Sequence, residues 1–212
     1  PKPEPLRTVE PPQSAERTVT LREQTQPWFI EGYHKPDARH PDEAVYDAIQ
    51  DLMSNGRVSR LHRSLVRDKK IAAFAGGFND FPDPKYPNLF VFFAAPTPGH
   101  SPEEIGKAIQ VEVERMKTEY ISDEELKMIR TRAKANLLRQ LADNEGLAQQ
   151  LGTMQALFGD WRELFKQVEN LDKVTKADIR RVANQTFVAS NRTVGTIETM
   201  RPTAAASQGV QQ

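Results

Sequence analysis

The sequence lacks cysteine, long apolar runs and an excess of either charge. Its 212 residues include 0 cysteines, which excludes disulfide bonds and zinc sites built from thiolates. The longest purely apolar run, residues 89–95, is far too short to cross a bilayer, so no membrane span is predicted. Basic and acidic residues both number 29, which argues against a dedicated nucleic-acid-binding protein, because such proteins usually carry a basic excess.

Composition divides the chain into three parts. Residues 1–16 are proline-rich and are predicted to be a linker, because proline removes backbone donors and favours extended conformations. Residues 17–200 carry one continuous apolar pattern and are predicted to form the folded domain. Residues 201–212 are small and polar and are predicted to be a flexible tail. Since the chain begins at Pro1, we expect a processed or cut piece. Its compartment stays open, with a bacterial periplasmic or secreted location as one expectation.

The apolar pattern predicts an α+β fold. Strands are predicted at residues 17–21, 28–33, 71–78, 89–95 and 192–199. Helices are predicted after Pro41, from Ser59, and after the caps Ser101, Ser122 and Thr175, with S-x-x-E capping boxes at the two serines. A loop is predicted at residues 79–88, where three prolines occur. Strands near both ends, with helices grouped between them, predict a two-layer sandwich in which a mainly antiparallel sheet is covered by helices on one face.

No metal-binding motif is present among the histidines, and neither H-x-x-E-H nor H-E-x-x-H occurs. The four histidines have no common helical spacing: His34, His40, His62 and His100. A metal cluster of His34 and His40 with Asp42 and Glu43 is conceivable, but the prolines between them favour turn residues and a helix start. We therefore predict no metal site in this chain.

One cluster of basic residues stands out between residues 57 and 70. Its members are Arg57, Arg60, Arg63, Arg67, Lys69 and Lys70. Three interpretations stay open: a solvated helix face, a nucleic-acid surface, or a cleft in which one or two arginines hold a peptide carbonyl or carboxylate. The nucleic-acid interpretation would require interleaved aromatics and a basic balance, and both are lacking.

The segment "GYHKPDARHPDEAVYDAIQDLMSNGRVSRLHRSLVRDKKIAAFAGGF" at residues 32–78 closely resembles a known protein family. It is similar to the second domain of a half-subunit in the pitrilysin/insulinase (M16) family of zinc metallopeptidases, and the resemblance extends over roughly residues 18–200. The resemblance implies a LuxS-like two-layer domain. It also implies an N-terminal M16 domain and a second M16 half, in a homo- or heterodimer, as partners. Two halves would enclose a chamber for unfolded peptide or oligopeptide substrates.

The same resemblance implies that this chain alone is inactive. The family holds its zinc and catalytic glutamate in an H-x-x-E-H motif of an N-terminal domain, and this sequence lacks that motif. We therefore expect no catalytic residue and no cofactor in this chain, with zinc bound in the N-terminal domain or in a partner subunit.

In this family, a domain of this type carries an arginine and a tyrosine seven residues apart. Both side chains reach toward the substrate carbonyl. Here the positions fall on Arg67 and Phe74, and phenylalanine has no hydroxyl group to donate. The predicted substrate-binding residues are Arg67, Phe74, Arg60, Ala73 and Gly76. The strand at residues 71–78 would form a cleft wall, or an edge that a peptide could join.

Two functions are compatible with this pattern. The first is a substrate-cleft and dimerisation domain of a zinc-dependent endopeptidase or oligopeptidase. The alternative is a non-catalytic structural or assembly subunit of M16 type, with which Phe74 is equally compatible. A third hypothesis, a module that binds nucleic acid or peptide through residues 57–70, lacks the basic balance that it would need.

Overall fold

The computed structural model describes residues 10–200 of the chain, so the predicted tail and part of the predicted linker lie outside the described residues. One sheet contains the strands β1 (Arg17–Glu23), β2 (Trp28–Lys35), β3 (Ala72–Phe81), β4 (Asn88–Pro96) and β5 (Arg192–Thr199). The α-helices are α1 (Glu43–Ser54), α2 (Pro102–Thr118), α3 (Asp123–Gln140), α4 (Asn144–Phe158), α5 (Glu163–Lys173) and α6 (Lys176–Thr186). A π-helix at His62–Asp68 and a 3₁₀ turn at Ala189–Asn191 complete the fold.

The sheet has the strand order β1-β5-β2-β4-β3 and confirms the predicted α+β class. Every pairing is antiparallel except that of β1 with β5. Helices α1, α2 and α6 pack on one face of the sheet, which we call the helix side. The other face is called the open face. No helix within residues 10–200 is long and apolar enough to cross a bilayer.

Aromatic rings from the sheet fill the core beneath the helices. Phe187 follows α6 and meets the ring of Tyr33 edge-on at 5.0 Å and that of Phe90 at 5.2 Å. Phe92 lies 5.0 Å from Phe90 on the same side of β4. All four rings are almost completely buried, and such contacts contribute beyond the area that they remove from water.

The predicted caps begin three helices, with one difference. Ser122 and Thr175 each form a complete capping box, in which the side chain at the third helical position bonds back to the cap. Ser101 accepts a hydrogen bond from the backbone N–H of Glu104, but the Glu104 carboxyl group lies 2.8 Å from His100 Nδ1 instead of returning to the cap. The second predicted capping box is therefore only half formed, because His100 offers the Glu104 carboxylate another partner.

The region around β3 differs from the sequence-based prediction in two ways. The helix expected from Ser59 becomes a π-helix, with the N–H of Lys69 bonded to the Ser64 carbonyl five residues earlier. The strand also continues to Phe81, into the predicted proline loop. Asp80, in the left-handed region with a φ of 64°, turns its carboxyl group to within 2.5 Å of Lys35 Nζ. Lys35 has no exposed side-chain surface, and its buried charge is compensated by Asp80 together with Glu43, whose Oε2 lies 2.8 Å from Nζ.

Candidate functional site

The open face of the sheet carries a group of aromatic side chains near β3. Its members are Trp28, Phe74, Phe78 and Phe93, which we call the aromatic cluster. Trp28 meets Phe74 edge-on at 5.0 Å, and Phe78 stacks on Phe93 at 4.8 Å with an interplanar angle of 17°. Phe74 and Phe78 nevertheless remain 37% and 50% exposed, so the cluster presents aromatic surface to solvent.

A β-bulge sets the position of Phe74. Ala72 pairs with Pro96 and Phe74 pairs with the adjacent Ala95, so Ala73 is the extra residue on β3. Beyond the bulge the register is regular, with Gly76 opposite Phe93. A Cβ atom at Gly76 would lie 3.2 Å from Cζ of Phe93, so the phenyl ring lies directly over this glycine. Of the two small residues predicted to bind substrate, Ala73 is exposed and Gly76 is covered by Phe93.

Arg67 lies at the end of the π-helix with an exposed side chain. Its Nε donates to Asp68 Oδ1 at 2.7 Å, and this hydrogen bond lowers the pKa of the Asp68 carboxyl group. Lys69 and Lys70 follow, both exposed, and within the described part of the chain neither forms an ion pair. Lys70 has a φ of 56°, which turns the chain sharply into β3. Arg67 and Phe74 are thus joined by one short connection.

Arg60, a second predicted substrate-binding arginine, is buried at 6% exposure. Its Nε and Nη2 donate to the two carboxylate oxygens of Glu125 at 2.9 and 3.0 Å. Glu125 also accepts from the N–H of Ser122 at the start of α3. Burial raises the pKa of the Glu125 carboxyl group, but the hydrogen bonds from Arg60 and Ser122 outweigh it, and the net pKa is lowered. This geometry favours a structural contact for Arg60, and its role toward substrate stays a prediction.

A groove of about 920 Å³ lies on the helix side, between α2 and the strands β1 and β5, and therefore on the opposite face from Phe74. The buried carboxylate of Glu31 lies at its base and accepts from Gln110 Nε2 at 2.8 and 2.9 Å. Burial raises the pKa of Glu31 to about 7. Sequence reasoning missed this residue, although Glu31 alternates with Phe29 and Tyr33, and a carboxylate in step with two core aromatics was a visible signal.

The histidines do not form a zinc site. His40 Nδ1 accepts from the N–H of Asp42, and the ring of His100 bonds Glu104. His62 is half-buried in the π-helix. Among residues 10–200, no three histidine, aspartate or glutamate side chains converge in the manner that a metal ion requires. The side chains in this described part of the chain therefore do not fit a zinc ion.

Comparisons with known proteins agree with this architecture. The family model described as the peptidase M16 inactive domain matches residues 1–137. The zinc protease PqqE of Helicobacter pylori is 26% identical over 187 residues, covering 84% of this chain and 40% of that protein. A solved protease structure from Helicobacter pylori has a TM-score of 0.85 at 26% identity, covering 93% of this chain and 48% of that one. The inactive peptidase domain solved from Bordetella parapertussis has a TM-score of 0.73 at 29% identity, covering 86% of this chain and 96% of that one.

The chain matches different shares of these proteins' lengths. It spans 40% and 48% of the two proteins from Helicobacter pylori, but 96% of the separately solved domain from Bordetella parapertussis. The chain thus corresponds to one domain of a longer polypeptide in the first two cases.

Proposed function

Because this chain belongs to the family of peptidase M16 inactive domains, we propose that it forms one wall of the substrate cleft, and part of the dimer interface, of a zinc-dependent endopeptidase or oligopeptidase. Zinc and the catalytic glutamate are then supplied by an N-terminal M16 domain or a partner subunit. A second M16 half, identical or different, closes the cleft around an unfolded peptide. The chain itself contributes binding and positioning, without metal chemistry of its own.

One observation carries the proposal: Arg67 and Phe74 are both exposed within a short connection that buried apolar residues hold at both ends. Leu65, Ile71 and Ala72 anchor the π-helix and the start of β3 in the core. These buried residues therefore fix the backbone of the connection, while the side chains of Arg67 and Phe74 stay accessible. Residues presented on a rigid support in this way are suited to contact a ligand.

Arg67 can act on a peptide through its guanidinium group. Its present partner, Asp68, is an exposed neighbour, and exposed ion pairs of this kind are weak and exchange readily. A substrate carbonyl or carboxylate in a closed cleft would offer a drier and stronger partner for the same donors. The adjoining strand β3 is an edge strand, so an extended peptide could also pair with its backbone.

The alternative function is a non-catalytic structural or assembly subunit, and Phe74 is the observation that favours it. Where the M16 resemblance leads us to expect a tyrosine hydroxyl, this residue has no hydrogen-bond donor. The rest of the full-length protein discriminates between the two functions. An intact H-x-x-E-H motif there supports the peptidase, and a degraded motif supports the assembly subunit.

The experiment is an Arg67→Ala substitution in the full-length protein assembled with its partner. We expect peptide turnover to fall about tenfold to a hundredfold, because a charge-assisted hydrogen bond contributes about 1.5–3 kcal/mol. The thermal midpoint should hardly change, since the side chain is exposed. Arg63→Ala is the matched control, because Arg63 is exposed in the same π-helix. Equal turnover by the two variants would show that Arg67 is only a solvated charge.

A further inference from the structure

We propose that the aromatic cluster is a subsite for a large apolar side chain of the bound peptide, and that Phe74 determines this specificity. This inference rests on the proposed function, because it assigns a substrate class to the same cleft wall. It concerns the four rings of Trp28, Phe74, Phe78 and Phe93, and not the donor groups of Arg67.

The cluster is a continuous surface. Phe93 lies at its centre, 6.2 Å from Phe74, 6.5 Å from Trp28 and 4.8 Å from Phe78 between ring centroids. Gly76 contributes to this surface, because a Cβ atom there would lie 3.2 Å from Cζ of Phe93 and would push that ring by a few tenths of an ångström. The aromatic surface therefore extends from β2 across β4 to the edge strand β3.

The position of the cluster matches an extended peptide. In a β-strand, side chains two residues apart point to the same face, so a peptide paired with β3 would place alternate side chains level with Phe74 and Phe78. Those two rings flank the side-chain-free Gly76 on one face of the strand. A large apolar side chain would bury aromatic surface that is 37% and 50% exposed in the free protein.

The neighbouring charges select among possible occupants. An aromatic surface can attract either an apolar side chain or a cation. Here the residues just before β3 include Arg67, Lys69 and Lys70, all exposed, and the last two form no ion pair within residues 10–200. Their positive potential repels lysine and arginine side chains and attracts carboxylates. The expected occupant is therefore an aromatic or branched aliphatic residue in a neutral or acidic peptide segment.

The absence of a hydroxyl group on Phe74 strengthens this preference for an apolar side chain. A tyrosine would add a hydroxyl group that needs a hydrogen-bond partner whenever a peptide covers it. Phenylalanine has no such requirement, so the subsite can become fully dry. The absent hydroxyl thus favours apolar recognition, and the ring of Phe74 determines the specificity.

The test uses the full-length protein assembled with its partner and a series of fluorogenic peptides. The peptides share a glycine- and serine-rich sequence with one scanned guest residue, which is phenylalanine, leucine, alanine, glutamate or lysine. For the wild type we expect kcat/KM to be highest with phenylalanine or leucine and lowest with lysine. Phe74→Ala should reduce kcat/KM about tenfold for the phenylalanine and leucine peptides, and less than about twofold for the alanine peptide.

Two further variants serve as controls. Phe74→Tyr keeps the ring and should keep most of the preference, and Phe165→Ala removes an exposed aromatic from α5 and should change nothing. An equal loss for all guest residues, or no loss, overturns the subsite. Disassembly of the Phe74→Ala protein also overturns it, because the cluster would then be covered by another domain.

The outcomes separate this inference from the function on which it rests. Suppose that Arg67→Ala impairs turnover while the preference among guest residues does not depend on Phe74. The proposal of an apolar subsite is then wrong, and the proposed function as a cleft wall is still supported. If the wild type processes none of the peptides, both proposals are wrong.

Discussion

Among the described residues, Glu31 has the most completely buried carboxyl group, and this group belongs to a polar network. It has 0% exposure on β2, and its oxygens accept hydrogen bonds from Gln110. Arg192 Nη1 lies 3.9 Å away, but that arginine is also bonded to Glu16 at 2.7 Å. The nearby positive charge is therefore shared, and burial determines the state of Glu31.

We predict that Glu31 makes stability fall as pH rises. Burial is the largest cause of its shift, and raises its pKa from 4.5 to about 7. The folded state thus favours the neutral form, so this stabilisation is fully present below pH 4.5 and is lost as pH rises through about 7. Glu31→Gln should remove that decline and raise the free energy of unfolding at alkaline pH by up to about 3 kcal/mol.

Urea denaturation of wild type and variant across this pH range measures the effect. Glu114→Gln is the control, because Glu114 lines the same groove and is exposed. Parallel pH profiles for the wild type and Glu31→Gln would contradict the prediction.

The ion pair of Arg60 with Glu125 joins two elements that are 65 residues apart in sequence. Arg60 precedes the π-helix, and Glu125 belongs to the capping box of α3. A single carboxylate therefore fixes both the start of α3 and the approach to Arg67. We expect this contact to be structural, because its donors face the protein interior.

We predict that Glu125→Ala costs about 3 kcal/mol of unfolding free energy. The variant loses the half of the α3 capping box in which the Glu125 carboxylate accepts from the Ser122 N–H, and it leaves the guanidinium of Arg60 buried without its carboxylate. Because the pKa of Glu125 is lowered, its contribution is present above its usual pKa of 4.5 and is lost as pH falls below it.

Denaturant unfolding at neutral and acidic pH tests this contribution. Glu124→Ala, one position earlier in the first turn of α3, is the control for helix propensity and exposed charge. A loss that is equal in both variants would show that the Arg60 pair contributes nothing.

Much of this architecture could be predicted from local sequence signals. The strand at Arg192–Thr199 and the caps at Ser122 and Thr175 were predicted correctly, because alternation and capping boxes act over a few residues. The bulge at Ala73 was not predictable, because it depends on how β3 pairs with β4. The same holds for Lys35, whose burial depends on an ion pair with Asp80, 45 residues away.

The candidate site shows the same division between local and long-range information. The motif around Arg67 and Phe74 could be found from sequence, because both residues lie within one short segment. The aromatic cluster could not be found in this way, because Trp28 and Phe93 come from two other strands and meet Phe74 only through the strand order. The burial of Arg60 was missed for a related reason, since Glu125 lies in a distant helix.

At the scale of the whole molecule, the two edges of the sheet differ in character. The β3 edge carries the proposed peptide site, whereas β1 lies four strands away, about 19 Å at the usual strand spacing. All seven residues of β1 are exposed, including Val19 and Leu21 at 53% each on the open face. The chain also spans only 48% of a solved relative from Helicobacter pylori. In the M16-type assembly proposed above, we therefore expect another domain to cover β1.

We predict that the chain on its own self-associates through β1, which no element within residues 10–200 covers on its outer edge. Two adjacent apolar side chains on a free sheet edge favour pairing with another copy. A Val19→Lys/Leu21→Lys double variant should stay monomeric across a concentration series in sedimentation velocity, while the wild type shifts toward larger species. The control is Thr18→Lys/Thr20→Lys, which adds the same charge to the helix side of the same strand. If that control abolishes association equally well, the added charge and not the apolar face of β1 is responsible, and the prediction is wrong.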